Sequence, residues 1–212
     1  MNITLIHRLL TGKNIKIIAT DTSLQEDLGP WENHYKLRFK DGKWEFVFVQ
    51  WEKSDGREKV LKYFDNEETA SKFFYLYQLK KHYFYQYIRP FTQRNEDINV
   101  GTRQFNFENL KEALERLDIP GDYYSLHGEL KKHSIVLEKI NERESKVKII
   151  WDNNEVIRET LILENWEAYD EFYKMTYYIH LLSHECQRLI EEKIIHKRFT
   201  NEEYSIFLSP GV

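Results

Sequence analysis

The 212-residue chain has few of the residues that staple, break or anchor a fold. With only one cysteine, Cys186, it can form neither an intramolecular disulfide nor a cysteine-based zinc site. It has four prolines and eight glycines, and the glycines never fall into a dinucleotide-binding or P-loop pattern, so backbone cradling of phosphate lacks its usual sequence. No nucleophile-elbow motif is present either. No apolar stretch approaches the roughly 18 residues a membrane helix needs, because Lys, Arg, Asp and Glu interrupt every run. Residues 1–10 lack the basic segment and the apolar length of a signal peptide, so a cytosolic protein is expected, with no membrane partner. The net charge of −4 and isoelectric point near 6.1 argue against a general nucleic-acid binder.

Aromatic residues are abundant, at 15 % of the chain, including 14 tyrosines. A core of this size does not need so many, because each buried hydroxyl wants a partner, and some of the rings are expected on a binding face. Charge is uneven. Residues 1–98 carry 16 Lys and Arg against 14 Asp and Glu, whereas residues 99–212 carry 15 against 21. The second half is the acidic one.

A faint internal repeat runs through the chain at a period near 100. Leu37 aligns with Leu137, Val47 with Val147, Val49 with Ile149, Trp51 with Trp151 and, after one lost residue, Phe73 with Phe172. Alternating apolar positions over 44–51 read as a strand so apolar that both its faces are expected to be covered. Asp41-Gly42 between two such runs is a hairpin signal. Third strands are expected over 58–64 and 156–163. Each copy then closes with a helix, one opened by an acidic cap at Asp65–Glu68 and stopped at Arg89-Pro90, the other starting at Glu164 or Asn165 and running past Arg188. Residues 3–10 and 107–117 read as an opening helix for each copy. The expected fold is therefore α+β: two tandem similar units, each a small antiparallel three-stranded sheet with flanking helices. Their expected limits are 1–92 and 102–212, joined by a polar link over 92–101, with a C-terminal helical extension. The helix over Phe73–Ile88 carries large rings nearly all round. Such a helix is buried on more than one side or offers a ridge to a partner.

Few residues are patterned for catalysis. His180 and His184, at i and i+4 on one helix, are the best metal candidates, with His127 or His133 as a third ligand; HExxH is absent and the expectation is no metal. A Cys186–His pair lacks any oxyanion donor pattern nearby.

Residues 117–128, reading LDIPGDYYSLHG, resemble the opening of small immunity proteins of bacterial polymorphic, contact-dependent toxin systems. The resemblance extends over about 107–180, through the strand ending at Val136–Lys139 and the acidic helix start at Glu164–Glu167. The first copy shares the layout without the Asp-Tyr-Tyr-Ser-Leu opening. The resemblance implies a protein that does no chemistry, needs no cofactor, and binds a cognate toxin in the cytosol. The contact surface it implies includes Asp122, Tyr123, Tyr124, Glu129, Glu164 and Glu167. An acidic face would also suit a basic toxin. The alternatives are a metal-assisted enzyme using His180 and His184, or an aromatic-rich phage or bacterial protein-binding adaptor.

Overall fold

The computed structural model describes residues 1–51, 56–151 and 155–208. It is mixed α+β, in two compact units, Met1–His82 and Tyr83–Val212. Among the described residues no helix is long and apolar enough to cross a membrane.

The first unit opens with helix α1 (Ile3–Thr11), capped by the Asn2 side chain, which accepts from the Leu5 amide at 3.0 Å. A five-stranded antiparallel meander follows: β1 (Ile17–Thr20), β2 (Ser23–Glu26), β3 (His34–Lys40), β4 (Lys43–Gln50) and β5 (Arg57–Phe64), in that spatial order. The β3–β4 turn is the expected hairpin. Asp41 and Gly42 both take positive φ, 52° and 81°, which sets the backbone twist a two-residue turn needs. Helix α2 (Glu67–Tyr83) closes the unit. Its cap is Asn66, whose side-chain oxygen accepts from the Thr69 amide at 2.9 Å; the acidic box expected from Asp65 does not form.

The core of this unit is built on Phe46. Its ring lies 5.4 Å from Tyr35 and 5.0 Å from both Phe73 and Tyr77, with Leu24 and Leu37 fully buried on the same face. Phe73 to Tyr77 are five consecutive buried residues, so α2 is buried all round at its centre, as a ring-bearing helix without a polar face requires. A carboxylate ties helix to sheet. Glu26, 4 % exposed, accepts from the Tyr35 amide at 2.8 Å, from Gln78 Nε2 at 2.9 Å and from Lys81 Nζ.

The second unit starts with a π-helical stretch, Phe84–Ile88, and helix α3 (Arg89–Arg94). The expected stop at Arg89-Pro90 is thus a local widening instead. Pro90 has no amide hydrogen and its ring crowds the carbonyl four residues back, and the i→i+5 pattern gives that carbonyl room. The expected polar link is structured as well: α3 is followed by a 3₁₀ turn over Glu96–Ile98, and Ile98 and Val100 are buried. Helix α4 (Phe107–Arg116) carries a reciprocal cap between Asn106 and Asn109. The sheet holds β6 (Tyr124–Ser125), β7 (Ser134–Lys139), β8 (Glu144–Ile150), β9 (Val156–Glu159) and β10 (Leu163–Glu164), in the order β10-β8-β7-β6 with β9 also on β8. Helix α5 (Asn165–Glu191) covers β7 and β8, and α6 (Asn201–Leu208) packs on α5 behind the expected Thr200–Glu203 capping box.

Three-stranded sheets were expected, and both sheets are five-stranded. In the first, the short strands β1 and β2 add to the meander. In the second, β6 pairs parallel to β7, and β9 and β10 share one edge of β8. The constant offset of 100 also fails across the hairpins. Leu37 lies opposite Phe46, whereas Leu137 lies opposite Val147, because a two-residue turn joins β3 to β4 and residues 140–143 join β7 to β8. Val147 thus takes the place of Phe46, not that of Val47. The two tryptophans differ as well. Trp151 is 3 % exposed, with Tyr204 and His133 at ring distances of 4.0 and 4.5 Å, while Trp51 is half-buried beside the exposed Trp31.

Two stability predictions follow from these contacts. Glu26→Ala strands the Gln78 amide and the Tyr35 N–H, at a cost of about 2–3 kcal/mol. Lys81→Ala leaves the buried Glu26 carboxylate with neutral donors only and should cost about 1–3 kcal/mol; urea titration of both variants checks the values. Trp151→Ala should cost about 3–5 kcal/mol by leaving a cavity under α6. Trp51→Ala should cost about half of that or less, since part of its ring already meets water, and thermal melts of equal depth for both would contradict this.

Candidate functional site

The stretch that carries the family resemblance begins where α4 ends. Asp118 takes a left-handed conformation (φ 50°), the Asp118 amide donates to the Glu115 carbonyl at 2.9 Å, and the Ile119 amide donates to the Leu114 carbonyl at 3.2 Å. This is a Schellman closure, sealed by the buried pair Leu114 and Ile119. The chain then makes a 3₁₀ turn over Gly121–Tyr123 and enters β6. Tyr123 sets its ring edge-on to His180 at 5.3 Å, and Tyr124 sets its ring edge-on to Phe172 at 6.2 Å. Both tyrosines are half-buried. Burial, and next the charge of Glu115, raises the Tyr124 hydroxyl pKa. Asp122 and Glu129 are exposed.

Glu164 and Glu167 sit at the start of α5. Glu164 is exposed at the cap position and accepts from Trp166 Nε1 at 2.7 Å; Glu167 is half-buried in the first turn, where a carboxylate suits the positive end of the helix dipole. The six residues named from sequence do not form one cluster. β6 and β10 are opposite edges of the sheet, three strand spacings apart, or about 14 Å at ~4.8 Å each. Asp122, Tyr123, Tyr124 and Glu129 follow one edge, and Glu164 and Glu167 follow the other.

Tyr123 lines a hollow of about 260 Å³ shared with His133, Trp151, His184, Cys186 and Tyr204. The His180 and His184 rings stand at 82° to each other with centroids 4.5 Å apart. Burial chiefly, then the neighbouring His184, lowers the His180 pKa against a smaller opposing pull from Asp118, so the neutral ring is favoured. Among the described residues its buried Nδ1 has no hydrogen-bond partner. Burial pushes the Cys186 thiol up, which disfavours the nucleophilic thiolate, and pushes the Tyr204 hydroxyl up to about 12. Among the described residues no group of three His, Cys, Asp or Glu is placed to hold a metal ion. The hollow is walled by the Tyr123, Trp151 and Tyr204 rings, with the Cys186 thiol held in its neutral form.

The second feature escaped the sequence reading. A groove of about 820 Å³ opens where α4 and α5 begin, with Phe107, Trp166 and Tyr169 as apolar walls and Arg103 and Arg143 at its sides. It runs on through Phe107, Asn165 and Tyr169 into a second hollow of about 700 Å³ that reaches Leu126 and His127. Asn165 anchors the junction, accepting from Ser145 Oγ at 2.8 Å and donating to the Glu142 carbonyl at 3.0 Å. These residues come from the α3–α4 link, α4, the β7–β8 turn and the start of α5. No spacing in the sequence announces them, and only the cap residue Asn106 before an apolar periodic run marks the place.

No family model, curated protein or solved structure matches this chain, so what the site does has to be argued from its own geometry.

Proposed function

We propose that the protein neutralises a bacterial toxin by binding it, without catalysis, in the manner of the immunity proteins that residues 117–128 resemble. The observation that supports this best is an exposed apolar pair between β9 and β10. Leu161 is 83 % and Ile162 51 % exposed, and they lie directly before β10. Glu159 and Glu164 are exposed on the same two strands, and Glu155 is exposed just before β9. Apolar anchors with a charged surround are the composition of a protein interface, in which the anchors supply affinity and the charges steer encounter. The acidic second half then favours a basic partner, with Glu164 and Glu167 on this face and Asp122, Tyr123, Tyr124 and Glu129 on the opposite sheet edge. A cytosolic site of action goes with this reading. The two units are read as diverged copies of one ancestral unit; the shared succession of helix, antiparallel hairpin and long closing helix supports this, and the differing sheet edges mark the divergence.

The test is co-expression with the product of the adjacent gene, followed by calorimetry and stopped-flow binding. Wild type should protect the cell and form a complex. Leu161→Asp with Ile162→Asp should weaken it by about 30-fold or more, the ~2 kcal/mol of interface hot spots. Association should slow severalfold as salt rises through the range where the Debye length shrinks below ~10 Å. Absence of both protection and complex removes the immunity reading.

A further inference from the structure

We propose that the hollow between the second half of α5, α6 and the end of β8 binds a small aromatic carboxylate, its ring among the hollow's rings and its carboxylate on Arg198. The site is independent of the immunity reading. The charge of the lining selects the sign of the ligand. Among the described residues no Asp or Glu lines the hollow, and its one side chain of fixed charge is Arg198. The groove at the start of α4 and α5 differs, since Glu144 and Glu164 balance its two arginines. Arg198 lies exposed between α5 and α6, and among the described residues no carboxylate pairs with it. Its charge reaches the hollow. Burial dominates at Cys186 and Tyr204 and raises both groups, but the guanidinium draws both pKa values the other way. At Cys186 that pull exceeds the opposing effect of Glu203 or of Glu185. Those two carboxylates are engaged elsewhere, Glu203 by the Thr200 amide at 2.7 Å and Glu185 by Arg188 Nη2 at 2.6 Å.

The walls select the rest of the ligand. Trp151 is buried, with the Tyr204 and His133 rings at 4.0 and 4.5 Å, and Tyr123 meets His180 edge-on at 5.3 Å. Rings held by their neighbours in this way lose little freedom when a ligand enters, and a flat ring packs on them edge-to-face or offset. Ring walls alone would suit an organic cation as well. Arg198 repels a cation, and its planar fork matches a carboxylate instead. The volume of about 260 Å³ falls below the ~300–1,000 Å³ of drug-sized sites, which limits the occupant to one ring with a short acidic substituent. A nucleotide exceeds that size and carries more charge than one guanidinium answers.

The experiment titrates the full chain with benzoate, benzamide, benzylamine and acetate, followed by NMR of ligand and protein. Benzoate should bind saturably and shift the indole N–H resonance of Trp151. Benzamide keeps the ring without the charge, and acetate keeps the charge without the ring. Each should bind at least fivefold more weakly than benzoate, and benzylamine more weakly still. Arg198→Gln should bring benzoate down to the level of benzamide. Its thermal melt should be unchanged, because the side chain is exposed, and this separates site loss from misfolding. Arg57→Gln, on β5, should leave binding as it is. Equal binding of benzoate and benzamide, full binding by Arg198→Gln, an unmoved Trp151 resonance or no saturation would overturn the site. Tighter binding of phenyl phosphate than of benzoate would overturn the carboxylate in favour of a phosphate ester.

Discussion

The second unit depends on how α5 is seated on β7 and β8. Ala168 and Phe172 are fully buried on that helix, against a sheet face that includes Ile135, Leu137, Val147 and Ile149. That contact holds a 27-residue helix across the sheet, and both candidate binding features are built from its ends. Trp166 and Tyr169 in its first turns form a wall of the groove, and His184 and Cys186, near its other end, line the hollow. A helix of this length is about 40 Å from end to end at ~1.5 Å per residue. One element thus serves two surfaces that share no residue. The burial of its middle keeps both in register, and a change there would disturb both at once.

The abundance of tyrosine has a structural answer as well as a functional one. Tyr75, Tyr77, Tyr83, Tyr173, Tyr177, Tyr178 and Tyr204 are all buried. Desolvation raises the hydroxyl pKa of Tyr77, Tyr83, Tyr173, Tyr178 and Tyr204, so these remain neutral phenols at any physiological pH. Their rings pack edge-to-face or stacked with other aromatics, which is why the molecule tolerates so many. Tyr63, Tyr85 and Tyr87 are the exposed minority.

What could be read in the sequence was local. The Asp41-Gly42 turn, the apolar run of β4, the helical period of α4 and the capping box of α6 each rest on residues within a few positions of one another, and each is present. The edges of the sheets could not be read, because β1, β2, β6 and β10 are two to four residues long, too short for an alternating side-chain pattern to show. Register was misjudged as well. Turn length decides which side chains face each other, and a turn of two residues and one of four both look like a polar break in the sequence. At the candidate site, the sequence singled out Glu164 and Tyr123, yet the groove lined by Phe107, Trp166 and Tyr169 was not found, since its residues come from separate elements that only the fold brings together.

The π-helical stretch at Phe84–Ile88 constrains the length of the chain. Relative to an unbroken α-helix it accommodates one extra residue, and each residue in a helix turns the following face by about 100°. The phase it sets lets Phe91 lie 5.8 Å from Tyr173 and 6.5 Å from Tyr177. Deleting one residue between 84 and 88 would turn the chain before the deletion by about 100° relative to Phe91 and the rings it meets. The length of the segment before α3 is thus fixed by ring packing within the second unit, and the aromatic positions constrain it as firmly as any turn does.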